Sequence, residues 1–571
     1  MIKLLKNLTK KEIIFSLICI SLVTFHVWLE LKIPDYMSGI TRLVQTEGSK
    51  MSEILEQGGL MIVCAFVSLI CNIVVGFFSA RVASSFSATL RKKIFEKVEN
   101  MGIAEGKKFS TSSLITRTTN DVMQVEMLIG MGLHAMVKAP VMAVSAIFKI
   151  LDKGFEWSIL TACCVSILLS VVITLMIIVL PRFEKVQKLI DKINGVTREN
   201  LSGIRVIRAF NAEKYQTNKF KQVNDDLTDM QLFNQRCFEI MNPTMHLVNH
   251  GLTLGIYTIG AILINKAGMN DKLTLFSNMV VFSSYGMHVI MSFLMLSMIF
   301  MMVPRAQISA KRINAVLDEN ISVVDGEFDG ETEVVGTVEF KNVSFKYPGA
   351  DEYVLEDISF KVNKGETIAF IGSTGSGKST LINLVPRFYD VSVGEVLIDG
   401  VNVKDYKLET LHNKLGYVPQ RAVMFTGTVS SNVSYGDNGK EEISLDKIKE
   451  AVKVAQGEEF VSKMENTYEA HIARGGTNVS GGQKQRLAIA RAIARDPEIY
   501  IFDDSFSALD YKTDSVLRKE LKKYTKDATC MIVAQRIGTI INADKIVVLD
   551  EGKCVGMGTH KELLKNCEVY K

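Results

Sequence analysis

The sequence is short of features that would place it in simpler classes of protein. None of its nine cysteines stand in a CxxC spacing. Cys19, Cys64, Cys71, Cys163 and Cys164 lie in apolar runs, and Cys530 and Cys554 lie beyond them. They read as reduced, small apolar residues, which excludes a disulfide framework and a zinc-ribbon site. Charge of one sign is also missing. The 66 Lys and Arg against 62 Asp and Glu leave a net charge of +4, too little for a nucleic-acid binder. No small-residue cleavage site follows the first apolar run. "MIKLLKNLTKKE" leads into "IIFSLICISLVTFHVWLELKI", which is too long for the core of a cleaved signal. The start therefore reads as a short interfacial helix followed by a membrane span.

Long apolar runs are abundant in the first part of the chain. They fall near Ile13–Ile33, Gly58–Ala80, Leu128–Ile150, Trp157–Leu180, Met245–Ile264 and Thr274–Val303. Each approaches the roughly 20 residues a helix needs to cross a bilayer, which predicts six spans. Basic residues cluster before the first run and after the second, fourth and sixth. Lys3, Lys6, Lys10, Lys11, then Arg91, Lys92 and Lys93, then Arg182, Lys185 and Lys188, and finally Arg305, Lys311 and Arg312 mark these ends. The bias places both termini and the two long connections in the cytoplasm. "ATLRKKIFEKVENM" and "RFEKVQKLIDKINGVTRENL" are amphipathic with helical period, so they extend the membrane helices outward. Their tips, "FSTSSLITRTTND" and "RVIRAFNAEKYQ", are expected to dock on whatever lies below, solvated hairpins being the plainer alternative.

The boundaries expected from composition are a transmembrane domain over 1–316, an acidic, glycine-punctuated linker over 317–337, and a soluble α/β domain over 338–571. In that last part "IAFIGSTGSGKST" is a strand, a glycine-rich turn and a helix start, the P-loop pattern. Gly372, Ser373, Thr374, Gly375, Ser376 and Gly377 let backbone N–H groups face a phosphate. Lys378 neutralises phosphate oxygens, the Ser379 hydroxyl suits Mg²⁺, and Thr380 closes the motif. Tyr347 stands before the P-loop strand, where an aromatic can stack on adenine or simply fill the core. Gln420, ending "GYVPQ", is placed to reach the metal or the attacking water. "NVSGGQKQRLAIARAIARDP" opens a second helix with Ser480, Gly481 and Gly482, another anion-binding N-terminus. Two phosphate cradles on one domain imply ATP held between two copies of it.

Tyr347, the P-loop, Gln420, "VSGGQ", Asp503 in "IYIFDD" and "SALD" occur in the order found in ATP-binding-cassette transporters. Six spans fused in front resemble the exporter type of that family. The resemblance implies an all-α six-helix membrane domain followed by a cytosolic α/β P-loop domain with an antiparallel β subdomain. It also implies a dimer, ATP and Mg²⁺ as cofactors, Asp503 holding Mg²⁺ through water, and Ser507–Asp510 touching the partner.

Two positions depart from the family pattern. Asp504 stands where the catalytic glutamate is expected, and Gln535, in "MIVAQRIGTI", where the switch histidine is expected. Aspartate is one methylene shorter, and a general base must come within about 2.6–3.2 Å of its water or act through a relay. Glutamine carries no proton charge. With "VSGGQ" intact, the pattern resembles the degenerate-site subunit of heterodimeric bacterial multidrug exporters. The expected partner is a second half-transporter bearing the glutamate and histidine. The expected cargo is a small amphipathic compound; peptide cargo, inward transport and a regulatory pseudo-ATPase are the rivals. No cysteine-protease domain precedes the spans, which weighs against peptides. Met287, Met291, Met295, Met298 and Met302 share one face of the last span and are candidates for contacting cargo, packing or lipid exposure being the alternative. Lys138, near the middle of the third span, is expected to face a cavity or a partner acid, a helix shifted toward the cytoplasm, where a lysine costs little, being the alternative.

Overall fold

Thr9 begins the first long helix. Its hydroxyl accepts from the Glu12 amide at 3.4 Å, and its own amide donates to the Glu12 carboxylate at 2.6 Å, a reciprocal cap. The computed structural model describes residues 1–46, 48–151 and 154–571, with all side chains except those of Glu184, Met269, Asn270, Phe300 and Met301. Among these residues six helical segments are long and apolar enough to cross a membrane: Lys10–Gln45, Met51–Glu99, Thr111–Leu151, Phe155–Ser202, Glu213–Lys266 and Asp271–Leu317. Each contains one of the runs expected from the sequence. The second, fourth, fifth and sixth, of 49, 48, 54 and 47 residues, greatly exceed the bilayer thickness, because polar stretches keep helical periodicity beyond the apolar run.

The chain divides into two units: residues 1–99 with 111–318, and residues 100–110 with 319–571. The first cytoplasmic tip is thus split. The short helix Ile103–Lys108 belongs with the soluble domain. "SLITRTTND" instead rejoins the membrane unit as a helical turn, Thr111–Thr116, and a π-helical turn, Arg117–Asp121. Asp121 is buried there, accepting from Ser309 Oγ at 2.9 Å and lying 3.3 Å from Arg312 Nε. Those partners tie this part of the tip to the sixth segment, which the sequence did not suggest.

The soluble unit is built on twelve strands: β1 (Val338–Phe345), β2 (Leu355–Val362), β3 (Thr367–Gly372), β4 (Val393–Ile398), β5 (Val401–Asn402), β6 (Leu415–Val418), β7 (Gly427–Thr428), β8 (His471–Ile472), β9 (Ile499–Asp503), β10 (Thr529–Val533), β11 (Lys545–Asp550) and β12 (Lys553–Gly558). A six-stranded sheet runs β12-β11-β3-β10-β9-β6, parallel except for β12. A four-stranded antiparallel sheet, β2-β1-β4-β5, forms the subdomain. Strand β9 is buried on both faces. Ile499 and Ile501 enter one core with the four-stranded sheet and the P-loop helix; Tyr500 and Phe502 enter the other, with the helix Gly481–Arg495. This period of two sends Asp503 to the P-loop side of the sheet.

Candidate functional site

Strand β3 ends at Gly372, and the chain curls through Ser373–Gly377 into the helix Lys378–Ile382. Gly377 holds φ +95°, and a Cβ there would lie 2.7 Å from Leu355 Cδ2, so only glycine fits. Lys378 folds its ammonium into the curl, donating to the carbonyls of Gly372 at 2.9 Å and Ser373 at 2.6 Å and to Ser376 Oγ at 3.3 Å. Burial lowers its pKa, opposed by the carboxylates of Asp504 and Asp503. A buried cation inside a glycine-rich turn fits a polyphosphate. The Tyr347 hydroxyl bonds Thr380 Oγ1 at 2.9 Å, which brings the expected base-stacking residue onto the same helix.

Ser379 Oγ donates to Asp503 Oδ1 at 2.8 Å. Burial raises the Asp503 carboxyl pKa and Asp504 adds to this, while the Ser379 hydrogen bond and Lys378 oppose it. One hydroxyl and one carboxylate suit a hard cation that keeps most of its waters and takes its other oxygens from phosphate. No group of three or more His, Cys, Asp and Glu that could hold a metal ion occurs among the described residues. Gln420 does not bond to this pair. It reaches Asp504 Oδ2 at 3.4 Å, and Gln535 reaches the same oxygen at 3.0 Å. The backbone of Asp504 is left-handed, with φ +46°.

Two residues at the site escaped the sequence. Tyr389 packs edge-on against Tyr347, with ring centres 5.2 Å apart, and Lys107 places its ammonium 5.5 Å from the Tyr347 ring centre while donating to Tyr389 Oη at 3.2 Å. Lys107 stands 240 positions before Tyr347, so no local signal joins them. "RFYD", Arg387–Asp390, offers an aromatic pair after the P-loop helix and is the one clue to Tyr389.

Ser480 caps the helix Gly481–Arg495, accepting from the Gln483 amide at 3.3 Å and donating its own amide to Gln483 Oε1 at 2.8 Å. Ser480 and Gly481 are exposed, and a Cβ at Gly481 would meet nothing within 4 Å. In the adjoining turn Ser507 Oγ donates to the Asp504 carbonyl at 2.8 Å, and Asp510 caps the helix Tyr511–Tyr524. The "VSGGQ" start therefore presents an open face.

In the membrane unit, Lys138 finds its acid. Its ammonium lies 3.0 Å from Glu30 Oε1 and 3.1 Å from His26 Nε2. Met295, Met298 and Met302 line a cavity of about 1060 Å³, while Met287 and Met291 are not among its lining residues.

Residues 15–293 match the family model of the ABC transporter transmembrane region, and residues 355–507 match that of the ABC transporter. An uncharacterized ABC transporter ATP-binding protein of Mycobacterium tuberculosis is 38% identical over 526 residues, covering 90% of this chain and 88% of the relative. The ATP-dependent lipid A-core flippase of Haemophilus influenzae is 31% identical over 526 residues, covering 90% and 86%. A solved bacterial Atm1-family ABC exporter with ATP bound superposes with a TM-score of 0.81 at 22% identity, covering 98% of this chain and 97% of that one, which supports the shared fold. The chain belongs to the ABC transporters: it is an exporter half-transporter, a multi-pass membrane protein carrying a cytosolic ATP-binding domain, and the transporter it forms hydrolyses ATP.

Proposed function

We propose that this chain is the weak-site half of an asymmetric exporter. Its own P-loop binds ATP and turns it over slowly, and its Ser480-Gly481-Gly482 loop completes the hydrolytic site of a partner that carries glutamate and histidine. The observation behind this reading is the pair of amides on Asp504 Oδ2, from Gln535 at 3.0 Å and Gln420 at 3.4 Å. A carboxylate oxygen already occupied by two amide donors is not open to the attacking water, and this side chain is also a methylene shorter than a glutamate. Neither glutamine can take up a proton.

The P-loop residues have the complementary task. The Lys378 ammonium and the amides of the glycine turn hold the phosphates, Ser379 and Asp503 orient the ion, and Tyr347 supports the base. MgATP, when bound, supplies the phosphoanhydride bond and a cation that offsets charge on its outer oxygens. Ser480, Gly481 and Gly482 point an uncommitted helix start outward, where the γ-phosphate on the partner's P-loop would meet amide donors.

We take the cargo to be a small amphipathic or lipid-like compound. Similarity to lipid A-core flippases and a methionine-lined cavity in the membrane unit support a transport subunit over a purely regulatory one.

The test is steady-state ATPase of the assembled pair. Gly481→Asp adds a carboxylate in open space, so the fold tolerates it while the partner's site gains a repulsive charge. It should lower the rate about 10²-fold or more. Asp504→Asn should leave most of the rate, and the chain alone should hydrolyse ATP poorly. Equal damage from both changes, or brisk turnover by the lone chain, would return Asp504 to the role of an ordinary base in a homodimer.

A further inference from the structure

We infer that the cavity between the second, third and sixth membrane helices binds the cargo, and that the compound it fits is uncharged and aromatic with one hydrogen-bonding group. The inference rests on the reading of this chain as a transport subunit for amphipathic compounds, and it gives that reading a place and a chemistry. The volume, about 1060 Å³, suits a drug-sized molecule. One wall is made by Met123, Met127 and Met131 of the third helix and Met295, Met298 and Met302 of the sixth. Facing them, the second helix offers only glycine, alanine and serine between positions 76 and 84, so the room is left by small side chains. Six thioethers on unbranched side chains can repack around different shapes, and their sulfurs favour the edges of aromatic rings. A wall of leucine or valine would give neither property.

The polar groups narrow the choice further. The charged residues of the lining are Arg91 and Glu126, and they face each other at 3.9 Å. Glu126 also accepts from Ser87 Oγ at 2.6 Å. Their charges offset, so a ligand with net charge would lose its hydration without finding a spare counter-charge. This disfavours a multiply phosphorylated lipid. His134 lines the same cavity, and its Nε2 is buried with no hydrogen-bond partner among the described residues. Buried polar atoms are ordinarily paired, and in the tautomer that leaves Nε2 as the acceptor a ligand N–H or O–H is its natural complement. Lys138, one turn further along, is already held by Glu30 and His26.

The experiment uses this chain assembled with its partner in nanodiscs, with ATPase stimulation titrated by two probes. N-phenyl-1-naphthylamine is neutral, aromatic and carries one N–H; 1-anilinonaphthalene-8-sulfonate has the same rings plus a negative charge. The half-stimulating concentration is read against each variant's own basal rate. The neutral probe should act at a concentration about tenfold lower than the sulfonate. His134→Leu should raise the neutral probe's value about 5–10-fold, the equivalent of one lost hydrogen bond, and His134→Gln should largely restore it. Met127→Leu with Met298→Leu keeps apolar bulk but removes sulfur, and should raise it about threefold. Should the His134→Leu protein fail to assemble, Met298→Leu alone, at a side chain on a 57% exposed residue, carries the test. If the wild type responds but no variant shifts, the methionine wall is a packing face and the site is elsewhere, while the exporter reading stands. If the sulfonate is equally effective, the uncharged class is wrong. If neither probe stimulates, aromatic cargo is ruled out, and the comparison of Gly481→Asp with Asp504→Asn still decides the asymmetry separately.

Discussion

Gln535 donates its side-chain amide to Asp504 Oδ2 at 3.0 Å. With Gln420 on the same oxygen at 3.4 Å, a single carboxylate joins the end of β9, the end of β10 and the segment after β6. In this arrangement Asp504 ties three loops beside the phosphate site, a task for which an acceptor held in place serves better than a mobile base.

The left-handed backbone at Asp504, φ +46°, gives a direct check on this geometry. Aspartate tolerates that region better than most residues, glycine enters it freely, and alanine pays roughly 1–2 kcal/mol. Asp504→Gly and Asp504→Ala lose the same hydrogen bonds, so the glycine variant should melt higher than the alanine variant by a few degrees. Thermal unfolding of the two, side by side, measures it; identical melting would remove the strain.

Lys378→Ala should weaken ATP binding at this chain's P-loop by about 10–100-fold, the usual worth of a charge-assisted hydrogen bond. Equilibrium binding to the assembled pair, with the partner's site already blocked, checks it. Unchanged affinity would count against Lys378 as the phosphate-binding cation.

Lys107→Ala should act on the base rather than on the phosphates. Its ammonium lies against the Tyr347 ring and bonds Tyr389, so its removal should raise the Kd for ATP about two- to fivefold, the size of one cation–π contact. Binding of inorganic tripolyphosphate, which has no base, should be unaltered. Equal losses for both ligands would place Lys107 in general folding of the domain.

Glu30 and Lys138 should be coupled. Their side chains are 24% and 19% exposed, so removing either partner leaves a poorly solvated charge. Glu30→Gln and Lys138→Met should each lower the melting temperature of the solubilised protein, and the double variant should recover a good part of the loss. Simple additivity in the double-mutant cycle would mean that the pair does not interact energetically.

Where local pattern determines structure, the sequence was readable. Ile499–Phe502 is apolar throughout, too short for a buried helix and followed by an acid, and it forms β9 with Asp503 aimed at the P-loop helix. The six spans were likewise visible in run length, since the bilayer sets that length. Contacts between distant segments were not readable. Glu30 stands 108 positions from Lys138, and its place in the first apolar run marks it only as a costly charge. Gln420, at the end of its strand, was expected to reach the metal or the attacking water; its hydrogen bond to Asp504, which lies 84 positions away, had no local signal. The sulfurs were predicted to share one face by angle alone. Cavity lining begins at Met295, since it also requires the second and third helices to enclose the same space.

The short helix Ile103–Lys108 has a consequence for how the molecule is made. Lys107 reaches Tyr389, which leaves the ribosome 282 residues later. At synthesis rates of about 5–20 residues per second, the tip waits on the order of 15–60 s for its counterpart. Four further membrane segments are synthesised in that interval. The soluble domain produced from its own reading frame alone would lack this piece of its surface. It should therefore expose the Tyr347–Tyr389 edge, fold less securely than the same residues within the whole chain, and gain from a peptide spanning 100–110 supplied in trans.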